Sequence, residues 1–339
     1  MRGKLKTSIQ LTIIFVVTGL LIWISLRGLT GENKGEYLLQ TWKSADKGWL
    51  WLMAVLGMVA HLLRAERWRM LLEPSGYRGR LGYSFLSLMV GYLVNMVIPR
   101  GGELSRCYNL YKLDRTPVEI SFGTVVVERI VDLVCLLSLI ALAFLLESEK
   151  LFAFLETLPV AGEGTMTTLT LLIYGLAALL VIAIIFVLLV KKNRKLNAFF
   201  HRTWEGFKEG LWSIAKVRKK GLFIGYSIVI WLLYFSMSYS VMQAFPETKF
   251  LGVKAVLSLF AIGSIAMAAP LPGGAGSYHV LVPQGLVFLY QVPMPDAVAF
   301  TFIFHGWQTA ILIVGGAISL LVTSFIVKRK NKAGQPQKI

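Results

Sequence analysis

A chain of 339 residues that is 56% hydrophobic and only 16% charged, with mean hydropathy +0.66, excludes a water-soluble domain pair and requires a polytopic membrane protein. Its formal net charge of +17 would suit nucleic acid, but the basic residues gather in short loops beside apolar runs, as the positive-inside rule demands. Cys107 and Cys135 are the only cysteines, both beside or within apolar runs, so no disulfide framework is indicated.

The first apolar run, 9–27, follows a basic flank (Arg2, Lys4, Lys6) and lacks a small-residue cleavage site, so it is expected to remain as a span. A polar segment leads to a second span at 48–64, which ends in the basic cluster Arg64 to Arg69, read as an inner-interface patch that attracts anionic lipid. The next apolar run, 81–98, is interrupted by glycine and polar residues and stops at Pro99, Arg100, Gly101 and Gly102. Proline cannot continue a helical ladder and glycine permits a tight reversal, so 81–115 reads as a helical hairpin with an amphipathic return arm. A span at 120–146 follows, then an acidic loop at 147–166 and a span at 168–190.

The strongly basic stretch 191–220 carries Trp204, Phe207, Leu211 and Ile214 at helical spacing and reads as an interfacial amphipathic helix over 194–220. After a span at 222–243 the pattern repeats. A broken run at 253–269 meets a turn rich in Pro270, Pro272, Gly273, Gly274 and Gly276, then 277–291 returns. A last span, 297–327, leads to a basic tail at 331–339.

The charges choose the topology. With both hairpins re-entrant there are six crossings, both termini are cytoplasmic, and most of the 35 Lys and Arg fall inside. Were either hairpin one full crossing, the most basic loop would face outward. The expected fold is therefore all-α: six spanning helices plus two re-entrant helical hairpins, in halves 1–150 and 151–330. An odd number of crossings per half makes these an inverted repeat.

The hairpin tips carry the chemistry. Helix restarts after Gly102 and after Gly276 would aim two positive N-terminal poles at mid-membrane, suited to phosphate or carboxylate. Arg100, Glu103, Glu128, Arg129 and Asp132 put charge where each ionised group costs roughly 3 kcal/mol. Glu128 and Asp132 share a helix face, and an arginine of the hairpin is expected between them. A purely structural ion network is the alternative. The second half is uncharged at its tip, where Ser277, Tyr278 and His279 stand, and its last span carries His305 and Gln308, which a slide of one half over the other sets on Arg129 and Asp132. His279 and His305 read as a titratable pair, a headgroup contact or packed histidines. No Walker A pattern, nucleophile elbow or metal-ligand spacing is present, so no cofactor or metal is expected.

The series Arg64-x-x-Arg67-Trp68, Asn95-x-x-x-Pro99-Arg100-Gly101-Gly102-Glu103-x-x-Arg106, Glu128-Arg129-x-x-Asp132 and Pro272-Gly273-Gly274-x-Gly276 resembles the lysylphosphatidylglycerol synthase transmembrane (flippase-like) family over essentially the whole chain. The resemblance implies a bacterial or archaeal integral protein of the cytoplasmic (inner) membrane. It is related to the half of those synthases that moves an aminoacylated phospholipid between leaflets. Because the sequence stops at Ile339, a stand-alone member without the soluble lysyl-transferring domain is expected. Some such members are tied to polyprenyl-phosphate-sugar metabolism.

The function expected is a lipid flippase for an anionic, aminoacylated or polyprenyl-phosphate-linked lipid. The substrate-binding set is Arg64, Arg67, Asn95, Arg100, Glu103, Arg106, Glu128, Arg129, Asp132, Tyr278, His279, His305 and Gln308. The partner is the membrane lipid and not nucleic acid, with room for a separate lipid-modifying enzyme. A membrane-embedded transferase using Glu128 and Asp132 and a secondary transporter of a small anion are the competing readings.

Overall fold

Hydropathy runs become helices wherever no proline or glycine pair interrupts them. The computed structural model describes residues 2–29, 33–157, 194–269 and 271–332. Among them stand α1 (Arg2–Leu26), α2 (Lys34–Ser44), α3 (Lys47–Leu72), α4 (Leu81–Asn95), α5 (Gly102–Asp114), α6 (Val118–Thr157), α7 (Arg194–Lys216), α8 (Lys220–Ala244), α9 (Val253–Met267), α10 (Ser277–Tyr290) and α11 (Met294–Lys332), with no strand. Four of these, α3, α6, α8 and α11, are long and apolar enough to cross a membrane. They coincide with the spans read at 48–64, 120–146, 222–243 and 297–327, and α1 covers 9–27. The span read at 168–190, Pro270 and the tail beyond residue 332 lie outside the described residues.

Two element boundaries differ from the sequence reading. Helix α3 continues past residue 64 to Leu72, so the basic cluster is helical and folded inward. Helix α6 does not end at 146: it bends at Glu147 (φ −141°) and runs on to Thr157. The reason is apolar. Leu151 and Phe154 bury themselves against Leu257, Ala261 and Leu289, which an acidic loop could not do. Helix α7 lies along α6 at backbone contact, since a Cβ on Gly123 would stand 2.4 Å from the Phe207 carbonyl oxygen. It leaves Trp204 and Trp212 exposed.

Arms α4 and α5 pack on each other, as do α9 and α10. The first pair approaches closely enough that a Cβ on Gly102 would stand 2.2 Å from the Gly91 carbonyl oxygen. The turn is closed by Asn95 at the end of α4, whose Oδ1 accepts the Gly102 N–H at 2.7 Å.

Among the described residues, part of the packing recurs when elements before and after residue 150 are exchanged. Helix α3 packs on its counterpart α8; α4 packs on α11 as α9 packs on α6; α5 packs on α6 as α10 packs on α11. The polar ties follow the same rule. Asn109 of α5 donates to Ser87 of α4 (3.1 Å) and to Thr323 of α11 (3.3 Å). In the other half, Glu147 of α6 accepts from Ser258 of α9 (2.7 Å) and from Tyr290 of α10. The first hairpin is thus tied to α11 and the second to α6.

Candidate functional site

Where α3, α5 and α6 meet, three guanidiniums surround two carboxylates. Positions 64 and 67 lie on one face of α3, and 128 and 132 on one face of α6. The helices are pinned in register by Trp68, whose Nε1–H donates to Thr124 Oγ1 at 2.9 Å. Arg64 reaches both carboxylates, with Glu128 Oε1 and, at 3.2 Å, Asp132 Oδ2 as partners. Arg67 holds Asp132 Oδ1 at 2.6 Å and Ser227 Oγ at 3.2 Å. Arg106, from the hairpin, meets Glu128 Oε2 at 3.0 Å and stacks 4.7 Å over the Trp68 ring.

The arginines bridging Glu128 and Asp132 are therefore Arg64 and Arg67 of α3, and the hairpin's Arg106 reaches Glu128 alone. Arg64 and Arg67 are buried, 6% and 0% exposed, and form no inner-interface patch. Burial is sustainable because every carboxylate oxygen is charge-paired, since a lone buried charge would be costly. Three positive and two negative groups still leave an excess of one positive charge.

Arg100 behaves differently. It occupies the left-handed region (φ 61°), is exposed, and donates only to the Ala268 carbonyl of the opposite turn, at 3.4 Å. Arg129 pairs with Glu103 at 2.8 Å, joining α6 to the start of α5. In the second hairpin the positive φ values fall on Gly273, Gly274 and Gly276. Two histidines fix that turn: His279 Nδ1 accepts the Gly276 N–H at 3.2 Å, and His305 Nε2 lies 2.9 Å from the Gly273 carbonyl oxygen. Facing an acceptor, His305 Nε2 must carry the proton. The rings stand 4.8 Å apart, edge to face.

Between the hairpins lies a cavity of about 1470 Å³, walled largely by apolar side chains of α6, α8 and α9. Arg64, Asn95, Pro99, Arg100, Glu103, Arg129, Gly273, Gly274, Tyr278, His305 and Gln308 line it. Arg67, Arg106, Glu128 and Asp132 stand behind the wall and position Arg64, and His279 stands behind the second turn. Gly101, Gly102, Pro272 and Gly276 shape the turns without facing the space.

Sequence reasoning missed His61, Tyr92, Trp231 and Tyr234, all on the cavity wall. Tyr92 stands one helical turn before Asn95 on the same face, a spacing that could have revealed it. Trp231 and Tyr234 share a face of an apolar span, where aromatics ordinarily signal packing or the interface. His61 is buried against the Tyr92 ring at 4.7 Å.

These features define a multi-pass helical membrane protein with a cationic, largely apolar-walled cavity between two broken-helix hairpins. Residues 9–316 match the family described as the lysylphosphatidylglycerol synthase TM region, and the chain belongs to that family. It is similar to the glycosyltransferase AglD of Haloferax volcanii, 25% identical across 94% of this chain and 57% of that protein. It also resembles a UPF0104 membrane protein of Methanocaldococcus jannaschii, 26% identical over 131 residues, 38% of each chain. The chain thus spans little over half the length of the first and less of the second. No solved structure matches it significantly.

Proposed function

We propose that this protein carries a lipid with an anionic headgroup between the leaflets of the cytoplasmic membrane. The observation that carries the reading is Arg100. A full charge sits at a hairpin apex, in a backbone conformation that costs about 1–2 kcal/mol for a side-chain-bearing residue. It lines a cavity framed by both hairpins, and among the described residues no carboxylate pairs with it. Strain combined with an unneutralised charge marks a site that awaits a ligand. The anionic headgroup enters between the hairpins, drawn by Arg100 and the start of α5, while acyl chains remain in the bilayer. Both hairpins re-enter the membrane from opposite faces, the termini are cytoplasmic, and the halves 1–150 and 151–330 form an inverted repeat whose rocking exposes the cavity alternately. The exchange symmetry of the packing and the bias of Lys and Arg toward one face support this arrangement.

The transferase reading draws on the name of the Haloferax relative. It is weakened by geometry, because all four oxygens of Glu128 and Asp132 accept guanidinium N–H groups and neither residue lines the cavity. A cavity of about 1470 Å³ also exceeds what a small soluble anion fills. Reconstitution into vesicles with fluorescent anionic lipid tests the proposal. Wild type should speed translocation, and Arg100→Ala should return it to the protein-free rate with the fold intact. Equal rates for wild type, variant and empty vesicles reject it.

A further inference from the structure

Arg64 organises a second feature of the cavity wall, away from the hairpin apex. Its Nη1 donates to the phenol oxygens of Tyr92 (2.9 Å) and Tyr234 (3.2 Å), and its Nη2 serves Glu128 and Asp132. Its Nε–H is buried and has no partner. Because both phenol oxygens already accept from Arg64, their own hydrogens must point elsewhere. Among the described residues neither phenol finds an acceptor. Trp231, whose ring lies 5.9 Å from that of Tyr234, adds an indole N–H that is also buried and unpartnered. Arg64, Tyr92, Tyr234 and Trp231 all line the one cavity.

Two phenol O–H groups without an acceptor, side by side on a guanidinium at one cavity wall, are an anomaly in a native protein and point to a partner that accepts. The charge agrees. The carboxylates that could have served as acceptors are turned behind the wall, and the cluster keeps one surplus positive charge, with Arg100 adding another. A phosphomonoester offers three acceptor oxygens and carries nearly two negative charges at neutral pH. A phosphodiester offers one charge and two free oxygens. An aminoacyl headgroup would bring ammonium donors to a wall already made of donors, where Arg64, Tyr92 and Tyr234 offer no acceptor.

We infer that Arg64, Tyr92, Tyr234 and Trp231 form a subsite for the terminal phosphate of a lipid phosphomonoester, so that the transported lipid ends in phosphate and not in an esterified or aminoacylated headgroup. The inference rests on the lipid-carrier reading of the same cavity and names its substrate class.

The test is calorimetric titration of the purified full chain in detergent with dioctanoyl phosphatidic acid, dioctanoyl phosphatidylglycerol, its lysyl ester and inorganic phosphate. Phosphatidic acid should bind about tenfold or more tighter than either glycerol lipid, and inorganic phosphate far more weakly, since it lacks the apolar contacts. Tyr92→Phe and Tyr234→Phe each remove one O–H and keep the ring. Each should weaken phosphatidic acid about three- to tenfold and leave phosphatidylglycerol unchanged, in protein that stays folded at the assay temperature although Arg64 loses one acceptor. Tighter or equal binding of phosphatidylglycerol or its lysyl ester overturns the inference. So does full phosphatidic acid affinity in both phenylalanine variants, and so does inorganic phosphate binding as tightly as the lipid, which would assign a soluble anion. The vesicle assay fails independently: phosphatidic acid bound with no translocation would reject the carrier function and leave this subsite standing.

Discussion

The two hairpins follow similar backbone paths by different chemistry. In the first, glycines at 91 and 102 serve close approach, and the left-handed residue at the apex is a charged arginine. In the second, glycines at 273, 274 and 276 take the left-handed positions themselves, and two histidines tie the turn to neighbouring helices. The second turn thus has little strain and no charge, while the first carries both. A fold that needs only a reversal can use glycine, so the strained arginine is explained by what it faces. In the proposed carrier one hairpin is the binding pole, and the other is the frame it works against.

The difference between the hairpins is largest at the ion network, which among the described residues is built only beside the first. Glu128→Ala leaves Arg64 and Arg106 short of their partner and should cost about 3–5 kcal/mol, enough to lose the folded protein in detergent. His305→Ala, which removes one bond to the Gly273 carbonyl, should cost about 1 kcal/mol plus a small cavity term. Comparable melting temperatures for the two variants would erase the proposed asymmetry.

The next largest effect is at the glycines. Gly102→Ala drives a methyl into the Gly91 carbonyl at 2.2 Å and should destabilise by about 1–3 kcal/mol, because backbone has to move. At Gly274 the nearest obstacle is the Met267 sulfur, the end of a flexible side chain, so the cost of alanine is set mainly by φ 74° at about 1–2 kcal/mol. Denaturation of both variants, read by loss of near-ultraviolet circular dichroism, separates close approach from dihedral strain.

The smallest effect on stability has the largest functional consequence. Arg100→Gly should raise stability by up to about 1 kcal/mol, as glycine accepts φ 61° freely. The same variant should lose lipid movement as completely as Arg100→Ala. Retained movement would make Arg100 merely the residue that happens to occupy the turn.

Both hairpins were legible in the sequence because Pro99 with Gly101 and Gly102, and Pro272 with Gly273 and Gly274, interrupt runs that are otherwise apolar. The spacing of Glu128 and Asp132 placed them on one helix face. What was not legible is which arginine they hold. A basic cluster after an apolar run looks the same whether it stops a helix or continues it inward, and only the packing of α3 on α8 and α6 decides. The acidic appearance of 147–157 likewise hid Leu151 and Phe154, whose burial keeps that segment helical. Tyr92 and Tyr234 acquire meaning only from Arg64, which reaches them from another helix, and Trp231 stands beside Tyr234.

The arrangement of the hairpins is tested most directly by cysteine accessibility from the two sides of sealed vesicles. Single cysteines are placed at Arg80, Arg115, Lys254 and Gln291 in a chain lacking Cys107 and Cys135. Positions 80 and 115, the two open ends of the first hairpin, should label from one side only. Positions 254 and 291 should label from the other side only. Labelling of 80 and 115 from opposite sides would contradict the account, because the first hairpin would then cross the membrane and Arg100 would no longer sit at the apex of a loop facing its counterpart.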